Sequence, residues 1–222
     1  MHDSKTPLKI LIGSLIAGAL QFAIAIFLLG GWKSFASHPP LITLIVVTLA
    51  MMLVAPFTGA NLSSGEKEDR ANRWIFIAIS VIALASATIP PYADRIGFWT
   101  IDGETTRWIG VIVYTLGGVL RLYPVFVLGR RFSGLVAIQT GHQLETHGIY
   151  SVIRNPSYLG MIVNMIGWGL AFRGLTGVAI AFLLLIPLVA RMHSEERLLR
   201  EHFGAQYDAY FARTWRLIPR IY

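Results

Sequence analysis

The chain has 222 residues, of which 55% are hydrophobic and 14% are charged, and its mean hydropathy is +0.59. This composition is typical of an integral membrane protein. A formal net charge of +7 would suggest a nucleic-acid partner in a soluble protein, but the enrichment of Lys and Arg in cytoplasmic loops explains it better, and we expect no nucleic-acid partner. The chain has no cysteine, which excludes disulfide bonds, thiolate metal sites and a protein thiol nucleophile.

Six apolar windows predict an all-α fold, a polytopic membrane bundle of about six transmembrane helices. The windows cover residues 8–30, 41–60, 74–91, 107–128, 157–172 and 175–191. At a rise of about 1.5 Å per residue, the first four are long enough to cross hydrocarbon about 30 Å thick. The last two, at about 17 residues each, are marginal, and we predict that they form a tight hairpin. The first is too long for the apolar part of a signal peptide and is predicted to be a true span.

Basic residues are distributed unevenly over the segments between these windows. Most of the 19 Lys and Arg lie before the first window, between the second and third, between the fourth and fifth, and after the sixth. With six spans, all of these segments lie on one side of the membrane. Because Lys and Arg accumulate on the cytoplasmic side, we expect both termini and the polar segments near the C-terminus to be cytoplasmic.

The chain after Arg191 changes to an amphipathic pattern. Leu199, Phe203, Tyr207 and Tyr210 recur at helical spacing among charged residues. This pattern predicts a cytoplasmic C-terminal helix that lies against the membrane or the bundle, with an interruption at the single glycine of the segment.

Two polar segments, residues 141–160 and 191–204, flank the predicted hairpin. Asn155 followed by Pro156 indicates a helix start, because Asn can cap a helix and Pro fits its first turn. The two helices of the hairpin are of nearly equal length, so the chain returns at Arg191 to the face that it left at Asn155. We therefore expect His193, Glu195 and Glu196 to lie near Arg154 and Asn155, and this convergence predicts a site for an amphiphilic or charged ligand.

Other kinds of site have weaker support in the sequence. His142 and His147 are five residues apart, and His193 with His202 lacks the i, i+4 spacing of a helical zinc pair, so we predict no metal site. The chain has neither a G-x-G-x-x-G motif after a strand nor a P-loop lysine motif. A nucleotide-like cofactor would therefore need a different architecture.

The two polar segments together resemble the isoprenylcysteine carboxyl methyltransferase family. The resemblance extends over residues 107–222, which we assign to a methyltransferase core with the cofactor pocket, whereas residues 1–106 are N-terminal transmembrane helices without a recognised motif. The residues that carry the resemblance are His142, Leu144, Gly148, Tyr150, Arg154, Pro156, Tyr158, Gly160, Arg191, Glu195, Glu196, Leu199, Phe203, Gly204, Tyr207 and Tyr210.

The resemblance implies a cytoplasmic pocket for S-adenosyl-L-methionine over the last two membrane helices. Arg191 is then expected to bind the substrate carboxylate and to act as the catalytic residue. The family usually has His where Asn155 stands and an aliphatic residue where Glu145 stands, so the identity of the substrate depends on these two positions. The residues expected to contact the cofactor are His142, Gln143, Leu144, Glu145, Tyr150, Asn155, Pro156, Ser157, Tyr158 and Glu195.

The implied reaction is methylation of the carboxylate of a prenylcysteine-like or other lipophilic substrate at the membrane. An ionised carboxylate is already a nucleophile at neutral pH and needs no general base. The expected partners are a lipophilic small-molecule or prenylated substrate and membrane lipids. Two alternatives remain open: methylation of a phospholipid amine or a small thiol on the same scaffold, and a non-catalytic membrane protein that serves in binding or assembly.

Overall fold

A computed structural model describes residues 6–58, 67–68, 74–129, 137–138 and 143–222 of the chain. Within these residues the fold is helical, apart from two-residue strands that pair antiparallel and two isolated bridges. The α-helices are α1 (Thr6–Leu29), α2 (Trp32–Ala36), α3 (Pro39–Val54), α4 (Trp74–Ile96), α5 (Glu104–Leu128), α6 (Pro156–Ala171), α7 (Leu175–Leu183), α8 (Leu185–Phe203) and α9 (Ala205–Arg213). The strands are β1 (Lys67–Glu68) and β2 (Ala137–Ile138), and 3-10 turns cover Ala55–Thr58 and Gly148–Ser151.

The predicted all-α membrane bundle is confirmed, and the protein is an integral membrane protein. The described part of the chain has five helical segments long and apolar enough to cross a bilayer: Leu11–Leu29, Pro39–Phe57, Trp74–Ile96, Glu104–Leu128 and Leu175–Phe203. The predicted window 157–172 forms α6, but its 16 residues rise only about 24 Å, less than a hydrocarbon core of about 30 Å. Five segments are therefore long enough to cross on their own, and α6, whose window was predicted to be marginal, is a shorter helix that passes through the bundle among them.

The last hairpin differs from two equal helices. Its returning arm consists of α7 and α8, which together extend from Leu175 to Phe203 with a break at Leu184. Pro187 lies three residues after the break and has no backbone N–H to donate to Leu183, which accounts for the interruption. The returning arm therefore extends well beyond the start of α6 and carries its charged residues past the first turn of that helix.

Helices α5 and α6 form the tightest contact of the fold, and glycine makes it possible. A Cβ atom on Gly110 or Gly117 of α5 would overlap the backbone of α6, and one on Gly160 or Gly167 of α6 would overlap the backbone of α5. Small residues at such positions allow membrane helices to approach closely, which gains van der Waals contact that lipid cannot supply. This pair holds the first turn of α6 in place.

The bundle has two polar ends, each marked by a buried carboxylate. The Asp94 end contains the end of α1, helix α2, the end of α4, the start of α5 and the turn between α6 and α7. The Glu196 end contains the end of α5, the start of α6, and the chain from the middle of α8 onwards. Two apolar clusters fill the space between these ends, one around Phe22, Trp168 and Phe172 and the other around Leu184 and Leu188.

Candidate functional site

Helix α6 begins at the predicted position, with Pro156 in its first turn and Asn155 just before it. The Asn155 side chain makes no capping hydrogen bond, however. Its Nδ2 donates instead to the Arg216 carbonyl at 3.0 Å, and the Asn155 backbone N–H donates to the same carbonyl at 3.2 Å. The expected side-chain cap is thus corrected, because Asn155 attaches the C-terminal segment to the start of α6.

Glu196 is buried at the centre of an ion-pair bridge. Arg154 donates from Nε to Glu196 Oε1 at 3.1 Å, and Arg216 donates from Nε to Oε1 at 3.0 Å and from Nη2 to Oε2 at 2.8 Å. The side chains of Arg154 and Glu196 are each only 7% exposed. These three residues, here called the Glu196 bridge, connect α8, the segment before α6 and the C-terminal segment. The predicted proximity of Glu196 to Arg154 is confirmed.

Arg154 also contacts the chain that follows α9. Its Nη1 donates to the carbonyls of Phe211 and Thr214, and its guanidinium lies 4.1 Å from the centre of the Phe211 ring. The Arg154 backbone N–H donates to the Trp215 carbonyl at 2.8 Å. Since buried polar groups need partners, this set of contacts fixes the C-terminal segment against the start of α6.

Two buried tyrosines of α9, Tyr207 and Tyr210, also contribute to the packing of the C-terminal segment against the start of α6. Tyr210 donates its hydroxyl to the Tyr150 carbonyl at 2.8 Å, and Tyr150 donates its own hydroxyl to the Pro124 carbonyl at 3.4 Å. Burial raises the pKa of Tyr210, and burial followed by the nearby Glu196 charge raises that of Tyr207. Both phenols therefore stay neutral, and Tyr210 remains a hydrogen-bond donor, at any physiological pH.

A second polar cluster lies between α6 and α8 and consists of Tyr158, Arg191 and Glu195. Arg191 donates from Nε to the Tyr158 hydroxyl at 2.6 Å and to Glu195 Oε1 at 3.0 Å, and the Tyr158 hydroxyl donates to the same Glu195 oxygen at 2.5 Å. Arg191 and Tyr158 are buried, whereas the Glu195 side chain is 26% exposed. This arrangement, here called the Arg191 cluster, orients the plane of a buried guanidinium.

The Arg191 cluster is bordered by a residue that the sequence did not indicate. Phe76, in the first turn of α4, places its ring centre 5.6 Å from the Arg191 guanidinium, and its side chain is partly open to the surroundings. Cation–π attraction acts at this distance. Phe76 belongs to an apolar span with no polar neighbour in sequence, so only the packing of α4 against α8 reveals it.

The other residues expected at a cofactor pocket are placed as follows. Glu145 accepts a hydrogen bond from the His147 backbone N–H at 3.2 Å, and Gln143 and Leu144 lie in the irregular segment beside it. Ser157 donates to the Arg121 carbonyl at 3.1 Å, and Pro156 is buried. His142 lies outside the described residues.

The structure therefore brings together three of the predicted residues, Tyr158, Arg191 and Glu195, in direct contact. It does not place His193 with them: this side chain is exposed and makes no hydrogen bond or ion pair with the residues that the structure describes.

Arg216 was missed by sequence reasoning because it follows α9 in an irregular segment, where no periodicity predicts its position. Among the described residues, no group of three or more His, Asp and Glu is placed to hold a metal ion.

Comparison with known proteins relates the C-terminal half of the chain to methyltransferases. Residues 105–206 match the family model described as phospholipid methyltransferase. A probable protein-S-isoprenylcysteine O-methyltransferase of Oryza sativa subsp. indica is 30% identical over 117 residues, which cover 51% of this chain and 61% of that protein. The predicted resemblance is confirmed. Protein-S-isoprenylcysteine O-methyltransferase B of Arabidopsis thaliana is also 30% identical, over 120 residues with the same two coverages.

The chain spans about three fifths of the length of these curated relatives, 61% in both cases. A solved structure of a eukaryotic intramembrane Ras methyltransferase, isoprenylcysteine carboxyl methyltransferase, aligns with 95% of this chain and 86% of its own, at 21% identity and a TM-score of 0.48. The family match includes the Arg191 cluster as well as Arg154 and Glu196, but ends before Arg216.

Proposed function

We propose that this protein is an S-adenosylmethionine-dependent methyltransferase that methylates the carboxylate of a prenylcysteine-like or other lipophilic substrate. The observation that carries the proposal is the Arg191 cluster, a buried guanidinium held in a fixed orientation between α6 and α8. Ionisable groups are costly within a membrane bundle and are typically functional there. The cluster also lies within residues 105–206, which match the family model described as phospholipid methyltransferase.

The residues beside the cluster fit a cationic methyl donor. S-adenosylmethionine carries an ammonium and a sulfonium, and the partly exposed Glu195 carboxylate is an acceptor suited to the ammonium. Glu145 supplies a second carboxylate on the segment before α6. Tyr150, Asn155 and Ser157 use their side-chain donors on backbone carbonyls, so we assign them to the wall of the pocket rather than to hydrogen bonds with the cofactor.

In this proposal the chain contributes orientation rather than acid–base chemistry. When bound, S-adenosylmethionine supplies a methyl group whose C–S bond breaks, with its electron pair passing to sulfur, as a carboxylate oxygen forms the new C–O bond. Arg191 attracts the substrate carboxylate and aligns it, while Tyr158 and Glu195 fix the guanidinium. No proton has to move, so no general base is required. Alignment of two reactants lowers a barrier by up to about 7–11 kcal/mol in favourable cases.

The membrane location suits a lipid-modified substrate, because the bilayer already solvates its chain at about 0.8 kcal/mol per CH₂. We propose that the lipid chain of the substrate enters the site from the α4 side, where Phe76 lies partly open beside Arg191. The contact between α5 and α6 is closed by Gly117 and Gly160 and offers no such opening. We further propose that this end of the protein, and both termini, face the cytoplasm, as the distribution of Lys and Arg favours.

One alternative has an observation in its favour. The family model that matches residues 105–206 is described as phospholipid methyltransferase, which suggests a lipid amine as acceptor. A protonated amine is repelled by the Arg191 guanidinium and must lose a proton before it can attack, whereas a carboxylate is attracted and ready to react. The Arg191 guanidinium therefore favours a carboxylate acceptor, while the Glu195 carboxylate, which balances its charge within the cluster, is assigned to the ammonium of the cofactor.

An acceptor screen tests the substrate class directly. Purified full-length protein is given S-adenosylmethionine labelled in its methyl group, together with an S-prenylated cysteine, the methyl ester of that compound, phosphatidylethanolamine or a small thiol. We expect label to enter the free prenylcysteine and not its ester, which has no carboxylate. Labelling of phosphatidylethanolamine alone would support the amine alternative, and no binding of the cofactor by folded protein in calorimetry would refute both enzymatic functions.

Two substitutions separate the two sides of the pocket. Glu195→Ala is expected to abolish cofactor binding, measured by calorimetry. Arg191→Ala is expected to leave cofactor affinity largely intact and to remove turnover of a carboxylate acceptor. His193→Ala is the matched control, since His193 lies on the same helix, is exposed and should change neither quantity. Full activity of the Arg191→Ala variant would show that the assignment of the acceptor side is wrong.

A further inference from the structure

The Asp94 end contains a polar cavity that the proposed methyl transfer does not use. Its volume is 380 Å³, within the range of about 300–1,000 Å³ typical of small-ligand sites. The cavity lies where the end of α1, helix α2, the end of α4, the start of α5 and the turn after α6 meet. The side chains that matter for its chemistry are Ser34, His38, Asp94, Arg95, Arg107 and Arg173.

The lining of this cavity carries more positive than negative charge. Arg107 donates from Nη1 to Asp94 Oδ2 at 2.6 Å, and Arg173 donates from Nε to Asp94 Oδ1 at 2.9 Å, so one carboxylate is shared by two guanidinium groups. Arg95 lines the same cavity and makes no hydrogen bond or ion pair with any residue that the structure describes. Three cations and one anion leave an excess of positive charge facing the cavity.

Arg107 adds an unpaired buried donor. Its side chain is 3% exposed, and Nη1 is bonded to Asp94 and to the Ala171 carbonyl, but Nε has no hydrogen-bond partner in the described part of the chain. The nearest carboxylate oxygen, Glu104 Oε2, lies 3.7 Å away, beyond hydrogen-bond distance. The Arg107 Nε is therefore a buried cationic donor without a partner among the described residues, and its charge adds to the positive potential of the cavity wall.

The acidic residues around the cavity do not cancel its charge. Glu104 lies at the rim, 3.1 Å from His38 Nδ1, and is exposed. Asp102 contacts Arg173 at 3.4 Å but is 98% exposed. Water screens such exposed charges strongly, so they offset little of the attraction that an anion would meet inside the cavity.

Aromatic side chains indicate the depth of the cavity in the membrane. Trp32, Phe98, Trp99 and Trp108 are all exposed, and all four lie at the Asp94 end beside the elements that line the cavity. Exposed aromatic residues at the end of a membrane helix typically mark the level of the lipid headgroups. The cavity therefore opens where phosphate groups of the surrounding leaflet are most concentrated.

We propose that this cavity binds a phosphate ester, and that its ligand is the headgroup phosphate of a phospholipid in the leaflet at the Asp94 end. Arg95 donates charge-assisted hydrogen bonds to the phosphate oxygens, and the positive charge of Arg107 and Arg173 attracts them. The site is independent of the proposed methyl transfer, and most of its lining belongs to the N-terminal half, outside the family match. Its role is to hold a specific lipid against α1, α2, α4 and α5.

Native mass spectrometry of the purified protein in detergent tests this proposal. The probes are phosphatidylglycerol, diacylglycerol with the same acyl chains, and inorganic phosphate as a competitor. Arg95→Gln removes the unpaired cation, and Ser34→Leu fills the cavity without a change of charge. Lys33→Gln is the matched control, because Lys33 is an exposed cation of α2 that does not line the cavity.

We expect phosphatidylglycerol to bind and diacylglycerol not to bind. Arg95→Gln should weaken phosphatidylglycerol binding about tenfold, as expected for the loss of one charge-assisted hydrogen bond, and Ser34→Leu should also weaken it, whereas Lys33→Gln should not. Binding of inorganic phosphate that depends on Arg95, without lipid binding, would assign the same site to free phosphate. Equal binding of the two lipids, or equal effects of Arg95→Gln and Lys33→Gln, would overturn the proposal.

Discussion

The two ends of this bundle contain the same arrangement, a buried carboxylate shared by two arginines, but they differ in what lies next to it. At one end Asp94 pairs with Arg107 and Arg173, and at the other Glu196 pairs with Arg154 and Arg216. The Asp94 group connects the ends of membrane helices, whereas the Glu196 bridge attaches the C-terminal segment to α6 and α8. In both places, the carboxylate shared by two arginines connects separate segments of the chain, which is a structural role.

The comparison shows why Glu195 is the better candidate for chemistry than its neighbour Glu196. Adjacent residues on a helix point about 100° apart, so the two carboxylates face different surroundings. Glu196 is enclosed by two arginines, whereas Glu195 is partly exposed and contacts Tyr158 and Arg191. A charged pair in a sequence can therefore contain one structural residue and one residue placed for a ligand.

The largest effect is expected from removal of the Asp94 charge. Asp94→Asn keeps the shape of the side chain but removes the buried ion pair of Arg107 with Asp94, and the loss of such a partner costs about 3–5 kcal/mol in buried pairs. The free energy of unfolding in detergent should fall by about this amount. Asp102→Asn is the control, because that carboxylate also contacts Arg173 but is almost fully exposed. Equal stability of the two variants would contradict a structural role for Asp94.

Glu196→Gln should have a smaller and more local effect. Arg216 is 17% exposed and can turn towards water when its partner is lost, so we expect a cost near the lower limit for a broken buried pair, about 3 kcal/mol. Hydrogen exchange should accelerate at the Trp215 amide, which donates to the Val152 carbonyl in the region that the bridge holds. The same amide should exchange at the wild-type rate in Asp94→Asn. Faster exchange in both variants would show that the two ends are not independent.

The sequence predicted much of this architecture, for identifiable reasons. Apolar windows located the spanning helices because hydrocarbon imposes length and composition directly. The return of the hairpin predicted that Glu196 lies near Arg154, as the structure confirms.

The remaining features depend on tertiary contacts that no local pattern encodes. Asp94 stands just past the end of a predicted window and pairs with Arg173, far along the chain. Arg216 lies in an irregular segment, and the Asn155 amide bonds to its carbonyl rather than capping α6. Rotation about α8, rather than spacing along the chain, decides which of the two adjacent glutamates meets Arg154.

Two glycine substitutions at opposite ends of the α5–α6 contact test whether only one end of this contact affects methyl transfer. In Gly160→Ala and in Gly110→Ala the new methyl group would overlap the backbone of the facing helix, and such overpacking costs about 1–3 kcal/mol. Gly160 faces Arg121 near the Arg191 cluster, whereas Gly110 faces Ala171 towards the Asp94 end. Both variants should lose similar stability, but only Gly160→Ala should also lower the kcat of methyl transfer. Equal loss of kcat in both would mean that the whole helix pair, rather than its Glu196 end, positions the cluster.

The smallest effect, and the most specific to the Arg191 cluster, is expected for Tyr158→Phe. The substitution removes the hydroxyl that accepts from Arg191 Nε and donates to Glu195, but the direct contact of 3.0 Å between Arg191 and Glu195 remains. The guanidinium should keep its charge and lose part of its orientation. We expect kcat/KM for a carboxylate acceptor to fall about tenfold, equivalent to about 1.4 kcal/mol, with little change in the unfolding midpoint. Tyr222→Phe serves as the control, because that hydroxyl bonds to Arg216 of the Glu196 bridge and not to the cluster. An unchanged kcat/KM in Tyr158→Phe would show that Glu195 alone orients Arg191, whereas an equal loss in Tyr222→Phe would remove the distinction between the two adjacent glutamates.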